Sequence, residues 1–147
     1  MNLNKNTTIH RFIEAQKEDH NKVVLELLHG KKQSCWMWWT FPQIKGLGYS
    51  ETAKFYEFQC YGEVNAFVAN EYLYYNIVEL IEIIMELYEN DPIKIFGPID
   101  AKKLQSSMTV LGTTQQLKGY ANAVLNKFFK GKRDQETLDI LKTMEDR

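Results

Sequence analysis

The segment from Tyr72 to Tyr88 limits the fold more than any other part of the chain. Its Leu73, Ile77, Leu80, Ile81, Ile84, Leu87 and Tyr88 recur at intervals of three and four, and Glu79, Glu82, Glu86 and Glu89 fill the other side. Side chains at that interval share one face of an α-helix, whereas a half-buried strand alternates every second residue. The β-branched Ile81, Ile83 and Ile84 also suit a strand, but the length of the pattern and the glutamate spacing favour helix. A helix with one apolar face needs partners to cover it.

The rest of the chain supplies those partners as further helices. Ile9–Gln16 and Asn21–His29 are short amphipathic stretches, and Gly30 follows the second where a left-handed C-cap would sit. Ser50 is placed to cap a helix running to about Gln59, with Ala53, Tyr56 and Phe58 inward. Gly62–Ala69 turns Val64, Phe67 and Val68 inward. Asp91–Pro92 is a helix start, a capping residue before a first-turn proline, and this brief helix ends near Gly97–Pro98. Asp100 is expected to cap Ala101–Leu111, Gly131 to close Leu117–Lys130, and Asp134 to cap Gln135–Met144 with Leu138, Ile140 and Leu141 facing in. No two-residue hairpin signal of the Asn-Gly type occurs. The prediction is an all-α single domain over residues 1–147, with seven or eight short helices around a central Tyr72–Tyr88 helix and residues 1–8 frayed.

At 147 residues a single domain buries roughly 70% of its unfolded surface, so no metal or disulfide staple is required. The two cysteines, Cys35 and Cys60, form no CxxC pair. No apolar run approaches the about 20 residues of a membrane span, and the polar N-terminus does not read as a signal peptide. A cytoplasmic protein is expected. The net charge of −1 with dispersed lysines, the densest group being Lys127, Lys130, Lys132 and Arg133, argues against nucleic acid as a partner. His10, His20 and His29 form no HExxH pattern. His10 and Glu14 lie one helical turn apart but supply only two ligands, so neither a metal nor a cofactor is expected.

Two constellations could carry chemistry. The first is Ser34–Ser50, SCWMWWTFPQIKGLGYS. Trp36, Met37, Trp38, Trp39 and Phe41 cannot all enter one core face, because consecutive residues point in different directions. Some of these rings must line a second surface, whether a cleft, another helix or solvent. Gln43 brings an amide that both donates and accepts, and Gly46–Ser50 places a glycine turn before a helix start, where backbone N–H groups can meet an anion. The second constellation is Asp100–Thr109, in which Lys103, Ser106, Ser107 and Thr109 put small hydroxyls near one ammonium. Such residues either allow close helix packing or hold phosphate or sugar oxygens.

The motifs resemble a known family. Arg11-Phe12-x-x-Ala15-Gln16, Trp36-Met37-Trp38 running into Phe41-Pro42-Gln43-x-x-Gly46-Leu47-Gly48-x-Ser50, then Phe96-Gly97 and Asp100-x-x-Lys103-Leu104-x-Ser106-Ser107-Met108-Thr109, are similar to the DUF1810 pattern. Phe128-Phe129-x-Gly131-x-Arg133-Asp134-x-x-Thr137-Leu138 resembles its C-terminal end. The resemblance spans nearly the whole chain and implies a small all-helical protein, but it supplies no reaction. One departure stands out: Cys35 takes the place where the family commonly has a histidine.

These readings lead to a domain that binds or hydrolyses a small nucleotide-like ligand, of the ADP-ribose type by loose analogy. Trp36 or Trp38 would stack the base and Gln43 would read an edge. Arg11, Gly48, Ser50, Lys103, Ser106 and Ser107 would hold phosphate or ribose, with Glu14 or Asp100 as the acid–base group. The alternative is a non-enzymatic protein-interaction domain that uses the aromatic segment as its contact patch.

Overall fold

The structure, a computed structural model, describes residues 5–144. Among these residues the chain forms nine helices: α1 Lys5–Leu28, α2 Met37–Thr40, α3 Glu51–Tyr56, α4 Tyr61–Ala69, α5 Glu71–Glu86, α6 Pro92–Phe96, α7 Pro98–Leu111, α8 Lys118–Phe129 and α9 Gln135–Thr143. The fold is the predicted all-α class. The one strand-like feature among the described residues is a parallel bridge between Ile44 and Phe58. No helix there is long and apolar enough to cross a membrane.

Three of the four predicted N-caps take their places. The side chains of Ser50, Asp91 and Asp134 accept from the backbone N–H of Ala53, Ile93 and Thr137, satisfying N–H groups that a helix start leaves open. Asn70, which the sequence reading passed over, does the same for Leu73 at the head of α5.

Five boundaries differ from expectation. α3 stops at Tyr56 rather than near Gln59, and Phe58 is buried from the bridge with Ile44 instead of from the helix. α1 is one helix rather than two, because no glycine or proline interrupts it and its polar middle has partners. Buried Gln16 donates to the Trp39 carbonyl at 2.8 Å and accepts from Asn76 at 2.9 Å, and His20 meets Glu79 at 2.8 Å. α1 also begins at Lys5, inside the stretch expected to be frayed, while residues 1–4 lie outside the described residues. α7 starts at Pro98, ahead of the cap expected at Asp100, because Gly97 at φ 83° turns the chain so that the proline takes the first helical position. α5 ends at Glu86, so Tyr88 leaves the apolar face and is fully exposed. The Lys127 ammonium donates there to the Met85 carbonyl at 3.0 Å, covering the end of the helix.

The centre of the molecule belongs to two helices. α5 packs on α1, α4 and α8, while α7 packs on α4, α6, α8 and α9, with Ser106–Leu111 all buried. Beside α5, the rings of Phe12, Phe58 and Phe67 meet edge-on or tilted at centroid distances of 5.2 to 5.5 Å, a favourable arrangement for aromatic pairs. Phe58 reaches this cluster because its N–H donates to the Gln43 carbonyl and its carbonyl accepts from Lys45. The same two bonds fix the backbone of the 41–50 segment.

Candidate functional site

The segment after α1 is organised by one carboxylate. Glu26 accepts from the N–H of Gln33 and Ser34, the Ser34 hydroxyl and the Trp36 indole N–H. Burial pushes this carboxyl up, but the hydrogen bonds from Ser34, Gln33 and Trp36 outweigh it and hold the group at about 2. Lys32 adds a second tie. Its ammonium lies 2.7 Å from Asp100 on α7 and 4.9 Å from the centre of the Trp36 ring. Asp100 is therefore committed to joining this segment to α7.

The short helix α2 then sends consecutive side chains to different surroundings. Trp36 and Met37 are buried and Trp36 packs near Phe41. Trp39 turns the other way, with its ring 5.1 Å from Tyr56 and its indole N–H on Asp19 at 3.1 Å. Burial raises the Asp19 pKa, and the Trp39 hydrogen bond only partly offsets this. Trp38 is half-buried, with Lys103 Nζ 4.6 Å from its ring centre, a cation–π distance. Among the described residues nothing accepts from its indole N–H.

Trp38 forms one wall of a cleft of about 600 Å³. On the same side lie Gln43, Leu47, Gly48, Tyr49, Ser50 and Ala53; opposite stand Pro98, Ile99, Lys102, Lys103 and Ser106 of α7, with Asp134 and Glu136 closing one end. The two constellations thus converge. Of the candidate residues, Trp38, Gln43, Gly48, Ser50, Lys103 and Ser106 line this one cleft.

The other candidates lie elsewhere. Trp36 is sealed in the core, and Ser107 is fully buried and does not line the cleft. Arg11 and Glu14 line a separate depression of about 670 Å³ beside Asp19 and Trp39. Arg11 grips Glu63 through two hydrogen bonds of 2.7 and 2.8 Å and donates to the Phe55 and Glu57 carbonyls, which ties α1 to the α3–α4 connection. Asp100 lines a smaller lobe of about 350 Å³ next to the main cleft.

Several small groups in or beside the cleft wall have structural duties. Gly46 has φ 105°, a conformation L side chains rarely adopt. At Gly48, a Cβ would lie 2.5 Å from the Ala53 Cβ, so glycine lets the turn press against α3. The Ser50 hydroxyl is engaged as the α3 cap, and the Ser106 hydroxyl pairs with Thr137 at 2.7 Å. Gln43 differs: among the described residues its side-chain amide has no partner, and it faces the cleft.

Beside Glu136, the Asp134 charge is paired. Asp134 is 3% exposed, caps α9 through one oxygen, and has Lys102 Nζ 3.0 Å from the other. Burial raises its pKa, but hydrogen bonds from Thr137 and Lys102 prevail and hold it low. Behind the Gln43–Gly48 turn lies Glu57, raised chiefly by burial and partly offset by the Gly46 N–H; it does not line the main cleft. Among the described residues no group of three His, Cys, Asp or Glu side chains could hold a metal.

Tyr49, Ile99, Lys102 and Glu136 also line the cleft and are not among the residues expected from the sequence, where Asp134 is expected only as a cap. Tyr49 and Ile99 are 87% and 73% exposed, and the signal that marks them is a large apolar residue inside the first motif and another just before the second.

Comparison with solved structures gives a match to the crystal structure of a conserved hypothetical protein, Rv1873, from Mycobacterium tuberculosis. The two are 32% identical with a TM-score of 0.89, over 92% of this chain and 97% of that one. Comparison with curated proteins gives no match. A family model described as a protein of unknown function, DUF1810, matches residues 6–141. On this near full-length match and the shared fold, the chain belongs to the DUF1810 family.

Proposed function

We propose that the chain binds a small nucleotide-like ligand, of the ADP-ribose type, in the cleft between the 38–50 segment and α7. The observation that carries this reading is Trp38: its face lines a cleft of small-molecule size, with Lys103 against the ring and Gln43 beside it. An aromatic wall with few convergent polar groups suits a planar ligand. The ring would stack on Trp38, the Gln43 amide would pair with its edge, and Lys103 would meet an attached anion.

Binding is favoured over hydrolysis. Asp100 is paired with Lys32, Glu14 lies in another depression, and Asp134 is held low by its partners; a general acid near neutral pH needs a carboxyl shifted upward. The protein-interaction alternative draws less support, since Trp36, Met37 and Phe41 of the aromatic segment are at most 1% exposed. Thermal-shift measurements with AMP, NAD and ADP-ribose at millimolar concentration test the proposal. A ligand at a hundredfold excess over its Kd adds about 2.7 kcal/mol of stability, which a melting curve resolves. No rise with any of the three contradicts the proposal.

A further inference from the structure

The main cleft does not end at Trp38. Sharing that ring is the second lobe of about 350 Å³, lined also by Met37 and Phe96 and by the exposed Cys35. Trp38, Pro98, Ile99 and Lys103 line both lobes, so they form a ridge between two adjoining concave surfaces. Beneath the ridge, a void of about 10 Å³ touches Trp38, Phe41, Ile44 and Lys103. That is barely room for one water, so the ridge has a packed base.

Charge in the second lobe is unequal. Lys32 and Lys103 both face it, and Asp100 is the one carboxylate in its lining. Asp100 holds Lys32 at 2.7 Å with one oxygen and reaches Lys103 at 3.6 Å with the other. The Lys32 ammonium, on a side chain 8% exposed, also donates to the Ser34 carbonyl. An ammonium has three donors, and Lys103 has the longer contact with their shared carboxylate. Two cations to one anion in a recess walled by Met37, Trp38 and Phe96 favour a further negative group, placed where Lys103 stands over the ridge.

We infer that the ligand is two-headed: two cyclic groups joined by a phosphodiester or pyrophosphate, one in each lobe, with the anionic linker crossing the Trp38–Lys103 ridge. This rests on the nucleotide reading of the main cleft and specifies its ligand class. The base occupies the side with Gln43. The linker takes donors from Lys103. The second ring or sugar lies over Met37 and Phe96, close to the Cys35 thiol.

AMP and ADP-ribose separate the two claims, because AMP fills one lobe and ADP-ribose spans both. Affinities are measured by calorimetry, and Cys35 alkylation by iodoacetamide is followed by mass spectrometry of its peptide. ADP-ribose is expected to bind at least tenfold more tightly than AMP and to slow Cys35 alkylation at least fivefold, while AMP leaves that rate unchanged. In Lys103→Gln both the affinity gain and the protection disappear, with a melting temperature near that of the wild type checking the fold; if the variant does not fold, the wild-type comparison decides alone. Equal affinities with Cys35 unprotected overturn the two-headed ligand, and with it the ADP-ribose type, and leave the main cleft as the site of a single nucleotide. Protection that survives in Lys103→Gln locates the ligand in the depression beside Asp19, which Cys35 also borders, and overturns the inference. If neither compound binds, both readings fall.

Discussion

Trp36 and Trp38 stand two residues apart and have opposite circumstances. The Trp36 ring is fully buried, its indole N–H is held by Glu26, and Lys32 covers one face. Trp38 is half-buried, its indole N–H has no acceptor among the described residues, and its ring borders two open lobes. Trp39 sides with Trp36, since Asp19 takes its N–H. A buried indole needs an acceptor, because leaving the N–H unpaired away from water costs stability. An indole without one, at the edge of a cleft, is free to meet something else. The difference separates the part of the signature that builds the fold from the part that faces a ligand.

The sharpest way to break this comparison is truncation of the buried ring. Trp36→Ala should cost about 3–5 kcal/mol, as large aromatic truncations in cores do, measured by denaturant unfolding. A loss no larger than that at Trp38 would show the two rings to be equivalent. Glu26→Ala comes next, at about 2–3 kcal/mol, since it strands the Trp36 N–H and two backbone donors, those of Gln33 and Ser34. The same carboxylate sets an acid response. Its folded pKa of about 2 lies below the ordinary 4.5, so its contribution is complete above the ordinary value and is lost as pH falls from 4.5 toward 2. Asp134, also held low, acts with the same sign. Glu26→Gln should flatten the fall in melting temperature across that window, and an unchanged slope would count against the network.

Much of the fold was legible in the sequence, and the physics explains where legibility stopped. Ser50, Asp91 and Asp134 announce their helices because capping is local chemistry that needs no knowledge of the rest of the chain. The Leu73–Ile84 face is legible because a long helix repeats its pattern. α2 is not, since four residues complete barely one turn and give periodicity nothing to repeat; hence Trp36 and Trp38 stood as equal candidates. Glu26 is an ordinary polar position on α1 until the chain returns Ser34 and Trp36 to it. Likewise Arg11 and Glu14, close in sequence to nothing else in the site, line the separate depression beside Asp19 and Trp39, where Arg11 is held by Glu63. The meeting of Gln43 with Lys103 depends on tertiary packing alone.

Two smaller effects sharpen the comparison from the cleft side. Gly48→Ala should cost about 1–3 kcal/mol through overpacking, because the new methyl meets Ala53; it should also displace the Gln43–Ser50 wall and weaken ligand binding. A neutral effect would mean that the turn is loosely seated. Trp38→Ala should cost about 1 kcal/mol or less, a cation–π contact and part of a half-exposed ring, yet abolish binding. That inversion, small in stability and complete in binding, is the mirror image of Trp36→Ala.

The most direct test observes all three indoles at once. In a 1H–15N spectrum each tryptophan gives its own indole N–H resonance, assignable by single Trp→Phe variants. Titration with AMP should move the Trp38 resonance and leave those of Trp36 and Trp39 in place, because their protons remain on Glu26 and Asp19. Saturating AMP that moves Trp36 or Trp39 while Trp38 stays still, or that moves none of the three, would contradict the assignment of this cleft as the binding site.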